Sequence, residues 1–197
     1  MRRRAPSRAK RSLHASLALT ALVLGGCASV AVQPSTAKWP AAQSAFDVSG
    51  RLSARHGSEA LAANFQWRHA GERDELELVS PLGQTIAVLS GDGSTARLQA
   101  ADGKVLTATS WTRLTQEGLG WTLPVDGLKY WIQGAPRAGA EYKAEAGADG
   151  QPSVLRQDGW TIVYQAYVRT NDDVMRPSRL VATYPEVELR LAVDRWQ

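Results

Sequence analysis

Phe46-Asp-Val-Ser-Gly-Arg-Leu-Ser-Ala-Arg55 alternates residue by residue between two kinds of side chain. Phe46, Val48, Gly50, Leu52 and Ala54 share one side, and Asp47, Ser49, Arg51, Ser53 and Arg55 share the other. A period of two with a single apolar side is the mark of a half-buried β-strand. Gly57-Ser58 then turns the chain, and Leu61, Ala63, Phe65 and Trp67 repeat the pattern against Ala62, Asn64, Gln66 and Arg68. After Ala70-Gly71, Leu76 and Leu78 alternate with Glu75 and Glu77. Three such strands joined by tight turns form an antiparallel meander.

The pattern continues on the C-terminal side. Strands are expected at Thr85 to Ser90, Ala96 to Ala100 and Val105 to Ala108, divided by Asp92-Gly93 and Asp102-Gly103, pairs that supply the positive φ of short hairpins. Gly91-Asp92-Gly93 lacks the following Lys-Ser/Thr and helix of a phosphate loop, so it reads as a hairpin. The period then changes. Thr109 or Ser110 can cap a short helix with Trp111, Leu114 and Leu119 on one face, and Pro124 opens a second helix ending at Gly134, with Leu128, Trp131 and Ile132 together. Strands resume around Glu141 to Ala146, Val154 to Gln157, Trp160 to Ala166, Arg179 to Tyr184 and Val187 to Val193. The sum is roughly ten or eleven strands with two or three short helices, a mainly β fold in which helices cover one face of a curved antiparallel sheet.

On the N-terminal side, Arg2, Arg3, Arg4, Arg8, Lys10 and Arg11 precede an apolar run from Leu13 to Leu24. That layout is a secretory signal peptide over residues 1–26. It ends in Leu24-Gly25-Gly26-Cys27, which resembles the bacterial lipobox. The resemblance implies that Cys27 is diacylglycerated and becomes the first mature residue, with Ala28 permitting sorting to the outer membrane. Cys27 is the only cysteine, so no disulfide within the chain is available. Residues 27–45 read as a lipidated N-terminus and tether, since Ala28 to about Ser44 shows no hydrophobic period. The folded domain is expected over 46–197.

Removing the leader also changes the charge. The whole chain carries 23 Lys and Arg against 19 Asp and Glu, but six of the basic residues and none of the acids lie in 1–26. The mature chain is left with 17 against 19, a formal net of −2. The high pI therefore belongs to the leader, and no nucleic-acid partner is implied.

Several stretches, in order behind the lipobox, resemble the outer-membrane lipoprotein receptor family LolB. They are Phe46-Asp-Val-Ser-Gly-Arg-Leu-Ser, Ser80-Pro-Leu-Gly-Gln-Thr, Leu123-Pro-Val, Leu128-Lys-Tyr-Trp-Ile-Gln-Gly134 and Gln157-Asp-Gly-Trp-Thr-Ile-Val-Tyr164. Met175-Arg176-Pro177 departs from the family, which more often has an apolar residue before the proline. The resemblance implies an incomplete antiparallel β-barrel of about 11 strands, lidded by helices around an apolar cavity for acyl chains. It further implies acylated lipoproteins as cargo, a LolA-type periplasmic carrier as donor, outer-membrane lipid as destination, and a monomer without nucleotide or other cofactor.

Expected walls of the acyl cavity are Phe65, Trp67, Leu76, Leu78, Leu128, Trp131, Ile132 and Trp160. Seven Trp against two Phe fit a lined cavity or plain core equally. Trp39 and Trp196 are expected not to line it, and Trp121 is open. The Pro81-Leu82-Gly83 loop places Leu where a soluble turn usually has Asn or Asp. Leu82 is either a buried anchor or an exposed tip, and the resemblance implies the second, a membrane-delivery loop.

A hydrolase is the competing class, but Ser53, Ser58 and Ser80 sit in no Gly-x-Ser-x-Gly turn. His56 and His69 are expected at the surface, Asp74, Glu75 and Glu77 on a solvated face, and no metal site is expected. A tethered assembly lipoprotein that binds another protein through its concave face is the other alternative. A filled interior would favour that role, and an open one a carrier.

Overall fold

A computed structural model describes residues 39–197. The leader, Cys27 and the expected tether as far as Lys38 lie outside the described residues. Six strands come first: β1 (Ala45–His56), β2 (Glu59–Ala70), β3 (Arg73–Val79), β4 (Thr85–Gly91), β5 (Ala96–Ala100) and β6 (Val105–Ala108). Two helices follow, α1 (Trp111–Leu119) and α2 (Val125–Trp131). Five strands complete the chain: β7 (Tyr142–Ala146), β8 (Pro152–Gln157), β9 (Trp160–Arg169), β10 (Met175–Tyr184) and β11 (Val187–Trp196).

All eleven strands form one antiparallel sheet in the order β6-β5-β4-β3-β2-β1-β11-β10-β9-β8-β7. The sheet is two meanders, β1–β6 and β7–β11, joined by pairing between the first strand and the last. Its ends, β6 and β7, do not pair with each other, so the sheet is an open half-barrel with the helical connection between those ends.

The alternation read in the sequence sets the two faces. On β2, Ala63, Phe65, Trp67 and His69 are buried while Ala62, Asn64, Gln66 and Arg68 are exposed. Their partners follow suit, with Val48 opposite Trp67 and Phe65 opposite Leu78. The inner rows join one core from Phe46 to Val193, with Leu114, Trp131 and Ile132 of the helical segment inserted into it.

Where β1 meets β11, the register slips between Ser49 and Gly50. A Cβ on Gly50 would lie 2.1 Å from the Ala192 carbonyl oxygen, so only glycine permits this approach. Gly91 serves α1 in the same way, because a Cβ there would lie 2.5 Å from Trp111 Cζ2. The Asp92-Gly93 turn is the expected hairpin, with the Asp92 carboxylate accepting from the Ser94 and Thr95 backbone N–H groups at 3.1 and 2.9 Å.

Ser110 is the cap of α1, accepting from Arg113 N–H at 3.2 Å, and Gly120 ends that helix at φ 81°. Thr115 is fully buried, donating to Trp111 O at 3.0 Å and accepting from Leu123 N–H at 3.0 Å, which folds the connection back along α1. The second helix is shorter than its apolar spacing suggests. It stops at Trp131, and Ile132 to Gly134 form a turn that reaches the left-handed Gly134 at φ 79°.

β10 begins at Met175 rather than Arg179. Pro177 is accommodated because the pairing with β9 is irregular beside it. The unusual Arg176 is buried, its guanidinium 5.3 Å from the Trp196 ring and 2.9 Å from an Asp172 carboxylate oxygen. Apolar contact and charge pairing together replace the aliphatic side chain expected there.

Replacing Gly50 with Ala should destabilise the domain by about 1–3 kcal/mol through overpacking against the β11 backbone. Urea unfolding of the two proteins measures this, and unchanged midpoints would contradict the close approach.

Candidate functional site

The apolar residues singled out in the sequence fall together on the inner face. Phe65 and Trp67 on β2 face Leu78 and Leu76 on β3. From the other side come Leu128 and Trp131 of α2, Ile132 after it, and Trp160 at the start of β9. Trp131 and Trp160 lie with ring centroids 6.1 Å apart. All eight belong to or pack against one core, with Leu76 only partly buried.

These walls touch one another in this conformation. Trp67 and Trp131 are 1% exposed and Ile132 and Leu155 0%, so side chains occupy the space between the sheet and the helices. Clefts open toward solvent. One of about 500 Å³ opens between α1, α2 and the β8–β9 turn, where Asp126, Lys129, Arg137 and Asp158 surround Tyr130 and Trp160. Burial pushes the Asp126 carboxyl up, opposed by Lys129 and Arg137 and reinforced by Asp74. Another of about 490 Å³ lies by the β2–β3 and β4–β5 turns, among Arg68, Arg73, Asp74, Glu75 and Arg97.

Polar bonds hold the helical segment to the sheet. Gln157 of β8 is buried and accepts from both Trp131 Nε1 (2.9 Å) and Arg137 N–H (2.7 Å), while donating to Arg137 O at 2.9 Å. Tyr164 donates to Trp131 O at 3.1 Å. The Gln133 side chain grips the incoming chain, accepting from Gln43 N–H at 2.8 Å and donating to Lys129 O. Trp39 also packs partly against the core. The docked chain thus begins before the Phe46 boundary expected from periodicity.

His69 is a correction. Expected at the surface, it is 6% exposed, with Nδ1 2.8 Å from Asp74 Oδ1. Trp67 Nε1 donates to the same oxygen at 2.8 Å, and Asp74, expected on a solvated face, is 4% exposed. Parity explains both, since His69 shares the side of Phe65 and Trp67, Asp74 that of Leu76 and Leu78, and the two face each other across the strand pair. Buried together, they satisfy one another, and no buried side-chain N or O among the described residues lacks a partner. His56 is half-buried and stacks on Trp121 at 5.7 Å, which places Trp121 in the core. Ser80 Oγ serves the hairpin, accepting from Gln84 N–H at 3.1 Å. No cluster of three His, Cys, Asp or Glu able to hold a metal occurs among the described residues.

The Pro81-Leu82-Gly83 loop is hydrogen-bonded at its base and open to solvent. Ser80 O accepts from Gly83 N–H at 2.9 Å, Gln84 O accepts from Ser80 N–H at 2.7 Å, and Gly83 takes φ 84°. This is a three-residue hairpin with glycine at its left-handed position. Leu82 projects from it at 89% exposure, the highest of the exposed large apolar side chains among the described residues. Of the two readings of Leu82, the exposed tip is the one found.

The overall fold is similar to that of a solved protein of the LolA superfamily. A LolA superfamily protein of Nitrosomonas europaea superposes with a TM-score of 0.51 over 83% of this chain and 89% of that one, at 11% identity. At the sequence level, the family model described as outer membrane lipoprotein LolB matches residues 44–196. The outer-membrane lipoprotein LolB of Thiobacillus denitrificans is 38% identical over 93% of this chain and 96% of its own. That of Chromobacterium violaceum is 40% identical over 90% and 94%. The chain belongs to the LolB family of outer-membrane lipoproteins.

Two outcomes follow from the buried polar groups. Asp74→Ala orphans the donors of Trp67 and His69 and should cost about 1–3 kcal/mol for each, read by urea unfolding. Burial raises the Tyr164 hydroxyl well above the usual phenol range, and raises Tyr167, which donates to Pro152 O at 2.7 Å. The unfolded chain ionises its tyrosines near about pH 10, so the contribution of these groups is complete below that pH and is lost as pH rises toward the folded values. Tyr167→Phe should flatten the alkaline fall in stability above about pH 10, and an unchanged slope would contradict its protected state.

Proposed function

We propose that this outer-membrane lipoprotein accepts acylated lipoproteins from a LolA-type periplasmic carrier and passes them into the outer membrane, without nucleotide. The observation that carries the reading is Leu82, an apolar side chain 89% exposed on a well-bonded hairpin tip. Leaving leucine in water gains nothing for the fold, whereas burying it in lipid is worth about 1.5–3 kcal/mol. The lipid on Cys27 anchors the chain, and the segment before Trp39 lets the domain meet a loaded carrier.

Acyl chains enter beside α2, through the cleft where Trp131 and Trp160 lead to the inner face. Because the wall residues pack on one another, uptake requires the helices to shift from the sheet. α1 rests on β5 and β6, the latter only four residues long, whereas α2 is tied to β8 and β9 by the Trp131–Gln157 and Tyr164–Trp131 hydrogen bonds. Transfer runs downhill through graded affinities, and each tenfold preference needs about 1.4 kcal/mol. The chain acts as a carrier and not as an enzyme, and works as a monomer.

The filled interior favours a second reading, a tethered assembly lipoprotein that binds another protein through its helix-lined side. Acyl uptake separates the two. A lipid carrying a quencher on its acyl chain should dim the emission of Trp131 and Trp160 in the carrier, and leave it unchanged in an assembly protein.

Leu82→Glu should leave acceptance from the carrier intact and slow delivery to liposomes by roughly tenfold to a hundredfold. Delivery at the unmodified rate would remove the hairpin from the mechanism.

A further inference from the structure

The outer face of the sheet is not evenly charged. Across the three adjacent strands β1, β11 and β10, the outward positions carry Arg51, Arg55, Arg179, Arg190 and Arg195. Register sets them in successive rows. Arg55 stands opposite Glu188, Ser53 opposite Arg190, Arg51 opposite Ala192 with Arg179 beyond it, and Ser49 opposite Arg195. Strand spacing and rise give these guanidinium groups an area of roughly 20 by 10 Å.

Only part of that charge is matched. Asp194 pairs with Arg51 at 3.0 Å and Glu188 with Arg190 at 2.8 Å, both in side chains largely open to water. Among the described residues, Arg55, Arg179 and Arg195 have no carboxylate within ion-pair distance. Acidic side chains gather elsewhere on the outer face, with Glu75 and Glu77 on β3. In a mature chain of formal net −2, a basic face over the central strands is a segregated charge and not a reflection of composition.

We propose that this arginine face rests on an anionic bilayer surface and recognises its phosphate headgroups, holding the domain on its back while the inner face looks away from the membrane. Two features favour a membrane over an acidic protein. The residues between the arginines are small, hydroxylic or β-branched, Ser49, Ser53, Val181, Thr183 and Ala192, with no aromatic side chain of the kind that anchors protein interfaces. A diffuse field of guanidinium groups suits a layer of phosphates, which needs no shape match. The bilayer is also the surface to which a chain of this family is moored, so the contact rests on the membrane-anchored part of the reading above. It does not depend on cargo.

The strand directions add a consequence. β1 carries the chain from its point of entry toward the β1–β2 turn, and the Leu82 hairpin caps the sheet at that same far end. With the outer face on the membrane the strands lie along it, and the cleft by α2 is left open for a carrier. Delivery then tips the domain about its far end until Leu82 points into lipid. Contacts made by exposed arginines are screened and reversible, which allows that motion.

The test uses the unacylated mature chain, residues 27–197, which retains the whole described core. It is mixed with vesicles of phosphatidylcholine alone or with phosphatidylglycerol and then sedimented. The expected result is binding to the anionic vesicles only, lost at 0.5 M salt, where the screening length falls to about 4 Å. The triple variant Arg51→Gln, Arg179→Gln, Arg195→Gln should partition at least about tenfold less while unfolding at an unchanged urea midpoint. Equal binding to both vesicle types, binding to neither, or unaltered binding of the variant overturns the proposal. No cargo or carrier is present in the vesicle measurement, so its failure leaves the receptor reading standing, and failure of cargo transfer leaves this one standing.

Discussion

Pairing of β1 with β11 holds the two halves of the sheet together. Each half is a meander built from neighbours in sequence, and only this seam joins them into a continuous eleven-stranded surface. The seam depends on a missing side chain, because Gly50 lets the β11 backbone approach to where a Cβ would collide with Ala192 O. The bulge there also turns the strand, and curvature at the middle of a wide sheet is what makes one face concave. A flat sheet of this width would offer no sheltered inner face for Trp67 and Trp131 to share. The cost is kinetic, since the seam joins residues about as far apart in sequence as the domain allows, and such pairings form slowly.

The open ends of the sheet follow from the same arrangement. Strands β6 and β7 are separated by a segment that must cross the inner face, and it does so as two short helices and their turns. Neither helix could persist alone at such a length, so both owe their form to the apolar surface beneath them. Trp111 over Gly91, Thr115 tying back Leu123, and Gln157 holding Trp131 are the points of attachment. Hydrogen bonds fix the C-terminal end of this segment more firmly than its beginning. A lid so attached is suited to opening from the α1 side while α2 stays seated on β8 and β9.

Strands were legible because their signal is a period of two repeated over four to twelve residues, strong enough to survive poor β-formers such as Gly50. The same parity placed His69 and Asp74 on the inner side, yet their chemistry suggested water, and chemistry was the worse guide. Each polar group is buried because the other lies directly across the strand pair, a relation that depends on register and not on either residue. Arg176 is a similar case, masked by Pro177 and made possible by Trp196 and Asp172, the first of them twenty residues away. The end of α2 and the docking of Trp39 were illegible for another reason: both depend on Gln133 and Gln43 meeting in space. Leu82 was legible as an oddity in a turn, and its exposure needed coordinates.

Three chemically different surfaces share one sheet without overlapping, and the alternation of strand side chains is what separates them. Inward residues supply an apolar layer, outward residues of the same strands supply arginines, and the hairpin tip supplies a lone leucine. A protein that handles acyl chains beside a membrane must keep its apolar layer away from the bilayer, or the bilayer would strip the cargo before transfer was complete. Facing the membrane with charge and keeping grease on the opposite side meets that need, and a strand gives the separation without any added domain. Among the described residues Leu82 is far more exposed than the other large apolar side chains, 89% against 47% for Tyr142, and on the proposed reading a single leucine is too small to hold the domain in lipid yet sufficient to mark the end that enters it.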